Sequence, residues 1–138
     1  MHLAIDGYGG DVEKMRSPEA IYQLLDTYPG LIGMNKVSEP LVRTYVGPVP
    51  EDWGISGFVI IAESHISIHT FPDRRFVQID VFSCKEFDAE EALKELCRAF
   101  SFRAVKTWVL ERGLEYYNPA GAQQDGAQGL RVTEGTWR

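Results

Sequence analysis

Cysteine is scarce in this chain: Cys84 and Cys97 are the only two in 138 residues, and they make neither a disulfide framework nor a metal site of recognisable spacing. Long apolar runs are missing as well. None approaches the ~20 residues of a membrane span, and no charged-then-apolar leader with a cleavage site opens the chain. Basic charge is in deficit, with 14 Lys and Arg against 20 Asp and Glu, a net charge of −6. Nucleic acid calls for the opposite sign, which excludes it as an expected partner. Gly7-Tyr8-Gly9-Gly10-Asp11 has neither the Gly-Lys-Ser/Thr ending nor the G-x-G-x-x-G register, so it is a turn and not a phosphate loop. No internal repeat is visible. These absences leave a cytoplasmic protein of one domain, long enough to bury roughly two-thirds of its unfolded surface unaided. Its acidic balance is compatible with a cationic small substrate.

The elements follow from period and punctuation. Residues 2–6 alternate as a short strand before the glycine turn. Ser17-Pro18-Glu19 reads as an N-cap, a proline at the first helical position and an acid complementing the dipole. Ile21, Leu24, Leu25 and Tyr28 then recur at helical spacing, and Pro29-Gly30 is expected to stop the helix. Residues 37–46 read as a strand that Pro40 confines to an edge or interrupts. A stiff loop, 47–54, precedes three strands at 56–62, 65–71 and 76–83, the last two joined by a turn at Pro72-Asp73-Arg74. Asp88-Ala89-Glu90-Glu91 is a capping box for a helix with Leu93, Leu96, Cys97 and Phe100 on its apolar stripe. A final strand is expected at 103–110. Beyond it the period fades, and 117–138 reads as a mobile or loosely docked tail to a domain spanning 1–116. The fold class is therefore α+β: a two-layer sandwich, mostly antiparallel, with two helices on one sheet face. The other face needs a cover, and a second copy of the chain is the simplest one.

Everything converges on residues 57–80, G-F-V-I-I-A-E-S-H-I-S-I-H-T-F-P-D-R-R-F-V-Q-I-D. An apolar run from Phe58 to Ala62 ends abruptly in Glu63-Ser64-His65. Strict alternation follows, Ile66 and Ile68 on one side and His65, Ser67 and His69 on the other. A buried strand that ends in such a polar cluster is expensive unless those groups have partners or a task. On the residues alone, a polar strand end at the surface remains the plainer reading.

The motif A-E-S-H-I-S-I-H-T-F-P at 62–72, followed by I-D-V-F-S-C at 79–84, resembles the prokaryotic S-adenosylmethionine decarboxylases. The family pattern is close to E-S-H-[IL]-[ST]-I-H-T-W-P-E and then D-[VL]-F-[ST]-C. The likeness runs, more loosely, to about residue 116. It implies a self-processing enzyme of polyamine synthesis whose prosthetic group is a pyruvoyl made from an internal serine, and which works as a homodimer or higher homo-oligomer.

By that resemblance the chain breaks between Glu63 and Ser64, giving fragments 1–63 and 64–138. The Ser64 hydroxyl attacks the Glu63 carbonyl to form an ester, elimination gives dehydroalanine, and hydrolysis leaves the ketoacyl group. His69 corresponds to the processing base and Ser56 to an assisting serine. Ser64 and His69 have opposite strand parity, which is relieved if Ser64 lies in a turn before the strand or if a bulge re-aims it. Cys84 corresponds to the general acid that reprotonates the substrate carbon; a thiol with an ordinary pKa near ~8.5 is mostly protonated at neutral pH. The substrate amine would form a Schiff base with the pyruvoyl ketone, with no pyridoxal phosphate, metal or nucleotide cofactor. Cys97 reads as core, and Asp80 as a structural hydrogen-bonding group.

Departures from the pattern cluster where a nucleoside would bind. Pro50 of Pro50-Glu51-Asp52-Trp53-Gly54 stands where the family has an adenine-stacking aromatic. Trp-Pro-Glu is here Phe71-Pro72-Asp73, Lys85 replaces a glycine, and fewer residues stand before His2. Loss of one stacking aromatic costs about 1–3 kcal/mol by analogy with base stacking. Trp53 could replace it, or Glu51, Asp52 and Asp73 could form an acidic pocket for the side chain of arginine or ornithine. Phe71, Asp73, Trp53, Glu51, Asp52 and His65 are thus the candidate substrate contacts, with S-adenosylmethionine the first choice of substrate and arginine or ornithine a close second; the reading from another class is a non-catalytic relative of the fold whose serine stays uncut.

Overall fold

The computed structural model describes residues 1–113 and 131–137. In chain order these are β1 (His2–Tyr8), α1 (Val12–Met15), α2 (Pro18–Leu31), β2 (Asn35–Lys36), β3 (Leu41–Tyr45), β4 (Gly54–Ala62), β5 (Ser64–Phe71), β6 (Phe76–Ser83), α3 (Ala89–Phe100), β7 (Ala104–Glu111) and β8 (Arg131–Trp137). Short 3-10 turns cover Pro50–Asp52 and Pro72–Arg74.

One antiparallel sheet runs β2-β4-β5-β6-β1-β7-β8, with β3 also pairing β4. Alternation along each strand decides its faces. Leu3, Ile5, Ile55, Val59, Ile61, Ile66, Ile68, Val77, Ile79, Val81 and Val105 are all buried, and all point to one side. There α2 contributes Ile21, Leu25 and Tyr28, and α3 contributes Ala92, Leu93, Leu96 and Phe100. Gly57 lets α2 approach the sheet: a Cβ there would lie 2.6 Å from a Leu25 methyl. Two helices on one face of an antiparallel sheet is the architecture expected from the sequence. The opposite face keeps Phe58 39% and Ile60 46% exposed.

The caps fall where the residues ask for them. Ser17 Oγ accepts from the Ala20 amide at 3.1 Å, and an Asp88 carboxylate oxygen accepts from the Glu91 amide at 2.9 Å. Cys97 is half-buried against the core, and burial pushes its thiol pKa up.

Four expectations need correcting. Pro29 does not stop α2, which runs through it to Leu31. In the last turn proline forfeits only one amide bond, and the reversal comes at Gly33, φ +73°. The expected strand at 37–46 shrinks to β3, Leu41–Tyr45, with the two-residue β2 before it on the same edge of β4 and Pro40 in the gap between them. The single turn α1, capped by Asp11, was not anticipated and buries Met15. Finally, part of the stretch read as a tail is a strand: β8 pairs with β7 over its whole length. Its side chains are mostly exposed, so backbone pairing to the β7 edge holds it, and no apolar period announces it. Residues 114–130 lie outside the described residues. Among the described residues no helix is long and apolar enough to cross a membrane.

Thr70 ties the layers together. Its buried hydroxyl donates to the Met15 carbonyl at 2.6 Å and accepts from the Ile55 amide at 3.0 Å. Replacing it with an isosteric methyl strands both partners. Thr70→Val, made in a Ser64→Ala background to keep one chain, is expected to lose about 1–3 kcal/mol of stability. Urea unfolding monitored by circular dichroism measures it, as a lower midpoint at unchanged slope.

Candidate active site

β4 and β5 are joined through Glu63 alone, with a cis peptide bond between Ala62 and Glu63. Ser64 opens β5 and stands across from Ile61 on one side and Ser83 on the other. It lies at the junction of turn and strand, and its hydroxyl donates to the Glu63 carbonyl oxygen, the group it would have to attack. Since Ser64 faces Ser83, the next residue of that chain, Cys84, reaches the same place: its Sγ is 3.4 Å from Ser64 Oγ.

A second pair forms farther along the same two strands. The β4–β5 register sets Ser56 opposite His69, and Ser56 Oγ is 2.9 Å from His69 Nδ1. Both belong to the face away from the helices. Five residues separate Ser64 from His69, about 17 Å of extended chain, and no bulge corrects their opposite parity. Within one chain the expected catalytic residues therefore form two pairs, Ser64–Cys84 and Ser56–His69, that do not meet.

The Ser56–His69 pair opens into a pocket of about 350 Å³. Tyr45 and Phe71 stand on its walls, the 47–49 loop closes one side, and Asp52 lies at its lining. Phe71, one of the candidate substrate contacts, lines this pocket. Asp52 is not a free carboxylate, because Arg74 Nε lies 2.5 Å from it. Glu51 and Asp73 are exposed and do not line the pocket. Trp53 also lies outside the lining, with the Arg16 guanidinium 5.9 Å from its ring centre. His65 sits in an aromatic band on the helix-free face, its ring centre 5.3 Å from that of Phe58 and 5.6 Å from that of Phe82. Asp80 accepts from His2 Nε2 at 2.7 Å if that nitrogen carries the proton, the structural bond foreseen for it. Sequence reasoning missed Tyr45, whose only signal is its register opposite Gly54.

The S-adenosylmethionine decarboxylase family model matches residues 1–113. The chain belongs to this family. An S-adenosylmethionine decarboxylase proenzyme of Archaeoglobus fulgidus is 30% identical over 116 residues, covering 81% of this chain and 96% of its own. One from Sulfurihydrogenibium is 28% identical over 136 residues, covering 96% of each. The crystal structure of the adenosylmethionine decarboxylase from Aquifex aeolicus superposes with a TM-score of 0.64 at 28% identity, over 77% of this chain and 83% of that one.

S-adenosylmethionine decarboxylase proenzymes of this family carry a pyruvoyl group formed by self-cleavage at a serine. The residues here fit such a group: a serine that opens β5 directly after the one-residue turn at Glu63, its hydroxyl against the preceding carbonyl, with a thiol beside it.

Proposed function

We propose that the chain cleaves itself between Glu63 and Ser64 and, with the pyruvoyl group so formed, decarboxylates S-adenosylmethionine. The observation that carries this is the contact of Ser64 Oγ with the Glu63 carbonyl, with Cys84 Sγ 3.4 Å from the same oxygen. Family membership supports the substrate. The pairing of Asp52 with Arg74 removes one of the three acids on which a pocket for arginine or ornithine would depend.

A pyruvoyl ketone supplies an electron sink for the electrons left behind when an amino acid loses CO2. The chain's residues supply position and protons. Ser64 delivers the nucleophile to its own neighbour, an intramolecular attack that costs no translational entropy. Cys84, beside it, is the proton donor for the substrate carbon. His69, held through Nδ1 by Ser56, has its other ring nitrogen, Nε2, for moving the proton that self-cleavage requires.

The two pairs must meet for this to work, and a second copy of the chain brings them together. The helix-free face carries Ser56 and His69 together with half-exposed Phe58 and Ile60. Facing two such sheets buries the apolar side chains and sets the Ser56–His69 pair of one copy against the Ser64–Cys84 pair of the other. The working form is thus a homodimer with two composite sites.

Fresh wild-type protein should give two masses, corresponding to 1–63 and to 64–138 with a blocked amino terminus. Ser64→Ala should remain one chain and release no 14CO2 from carboxyl-labelled S-adenosylmethionine. A single unmodified mass for mature wild type would overturn the proposal. Cys84→Ala should still be cut yet lose most turnover, on the order of 10²-fold or more. Composite sites make a further demand. Coexpressed Ser64→Ala and His69→Ala chains, each inactive alone, should recover about a quarter of wild-type activity, because half of randomly paired dimers are mixed and each mixed dimer holds one intact site. No recovery in purified mixed dimers would rule out sharing of the site.

A further inference from the structure

We infer that Ser83 is the positioning residue for Cys84: its buried hydroxyl turns the chain as it leaves β6 and delivers the thiol to Ser64. What the thiol then does rests on the decarboxylase reading above. Among the described residues the buried polar side chains are the hydroxyls of Thr70, Ser83 and Thr107, and a buried hydroxyl is costly unless it is bonded. Thr70 joins two layers, and Thr107 reaches the Gly135 carbonyl on β8 at 3.4 Å. Ser83, 1% exposed, makes no such long reach: its Oγ accepts from the amide of Lys85, two residues on, at 3.0 Å. A serine oxygen closed over the second amide after it makes a turn. The residue enclosed is Cys84.

The thiol needs that turn. Ser64 and Ser83 stand directly opposite each other on β5 and β6, so their side chains share one face of the sheet. In a chain that stayed extended, Cys84 would point to the other face, away from Ser64. Its Sγ nevertheless stands 3.4 Å from Ser64 Oγ. The ladder ends at Ser83, and α3 does not begin until Ala89. Among the described residues, the bond from the Lys85 amide to Ser83 Oγ is the sole hydrogen bond made by the backbone of 84–87. The near end of the turn is fixed, because the Ser83 amide donates to the Met1 carbonyl at 3.0 Å and the Ser83 carbonyl accepts from the Met1 nitrogen at 2.6 Å. One end is thus tied into the sheet, and the other hangs on Oγ. Without that oxygen the Lys85 amide turns to water, and the segment carrying Cys84 is free to straighten.

Kinetics and thiol labelling test this. Ser83→Ala should still cut itself, as two masses, while kcat for S-adenosylmethionine falls about tenfold or more and KM stays within about twofold. Ser83→Thr, which keeps the hydroxyl, should recover most of kcat. A residue that acts through Cys84 adds nothing once the thiol is gone, so Ser83→Ala combined with Cys84→Ala should be no slower than Cys84→Ala alone, whereas independent effects would multiply. Iodoacetamide should alkylate Cys84 faster in Ser83→Ala, read on the Cys84 peptide, with alkylation of Cys97 unchanged as the control that the rest of the fold has not loosened. The same labelling in the uncut Ser64→Ala chain does not depend on cleavage. Losses that multiply in the double variant, unchanged kcat and labelling in Ser83→Ala, or a Ser83→Ala chain that stays uncut would each overturn the positioning role and leave the decarboxylase reading standing. Wild type that releases no CO2 from S-adenosylmethionine would overturn that reading instead, while labelling would still report on Ser83.

Discussion

The antiparallel pairing of β5 between β4 and β6 is the constraint on which the rest depends. Its register puts Ser64 across from Ser83, and thereby beside Cys84, and puts His69 across from Ser56. Its pleat sends Ile66 and Ile68 into the helix-covered core and leaves His65, Ser67 and His69 on the other side. A slip of one residue would exchange these sets and bury the histidines among aliphatic side chains. The burial of two isoleucines and the outward placement of His69 are thus one structural fact.

Much of this was legible in the residues because the signals were local. The run from Phe58 to Ala62 and the alternation after Ser64 specify two adjacent strands, and Ser17-Pro18 and Asp88-Ala89-Glu90-Glu91 announce both long helices. Two of the misses were decided by a partner distant in sequence. β8 forms against the open edge of β7 with few apolar side chains to advertise it. α1 depends on Asp11 capping one turn so that Met15 can sit under the sheet, bonded through its carbonyl to Thr70. Pro29 looks like a terminator but sits in a last turn, where the missing amide matters little.

The site was legible to the same degree and for the same reason. Ser64, Cys84, Ser56 and His69 could be named from the family resemblance of the motif at 62–84 and of Ser56, and the opposite parity of Ser64 and His69 was visible too. A turn or bulge that would reconcile them within one chain is not what the structure contains. The loop residues were harder. Trp53 is the nearest aromatic in sequence to the missing one, yet it stands with Arg16, while Tyr45 lines the pocket because an edge strand brings it to Gly54. Asp52 is acidic in sequence but paired with Arg74 in space.

The proposed pairing of two copies would answer both the exposed face and the separation of the two residue pairs. A sheet with helices on one side only leaves Phe58, Ile60 and Tyr8 half in water, a standing cost that apposition of a second sheet relieves. A strand that carries Ser64 at one end and His69 about 17 Å away cannot bend them together without giving up its pairing. In two apposed sheets related by a twofold axis, one end of each β5 can lie against the far end of the other, and neither has to bend. In the homodimer proposed above, the interface that covers this face would also complete the site, and catalysis would then depend on assembly through geometry alone.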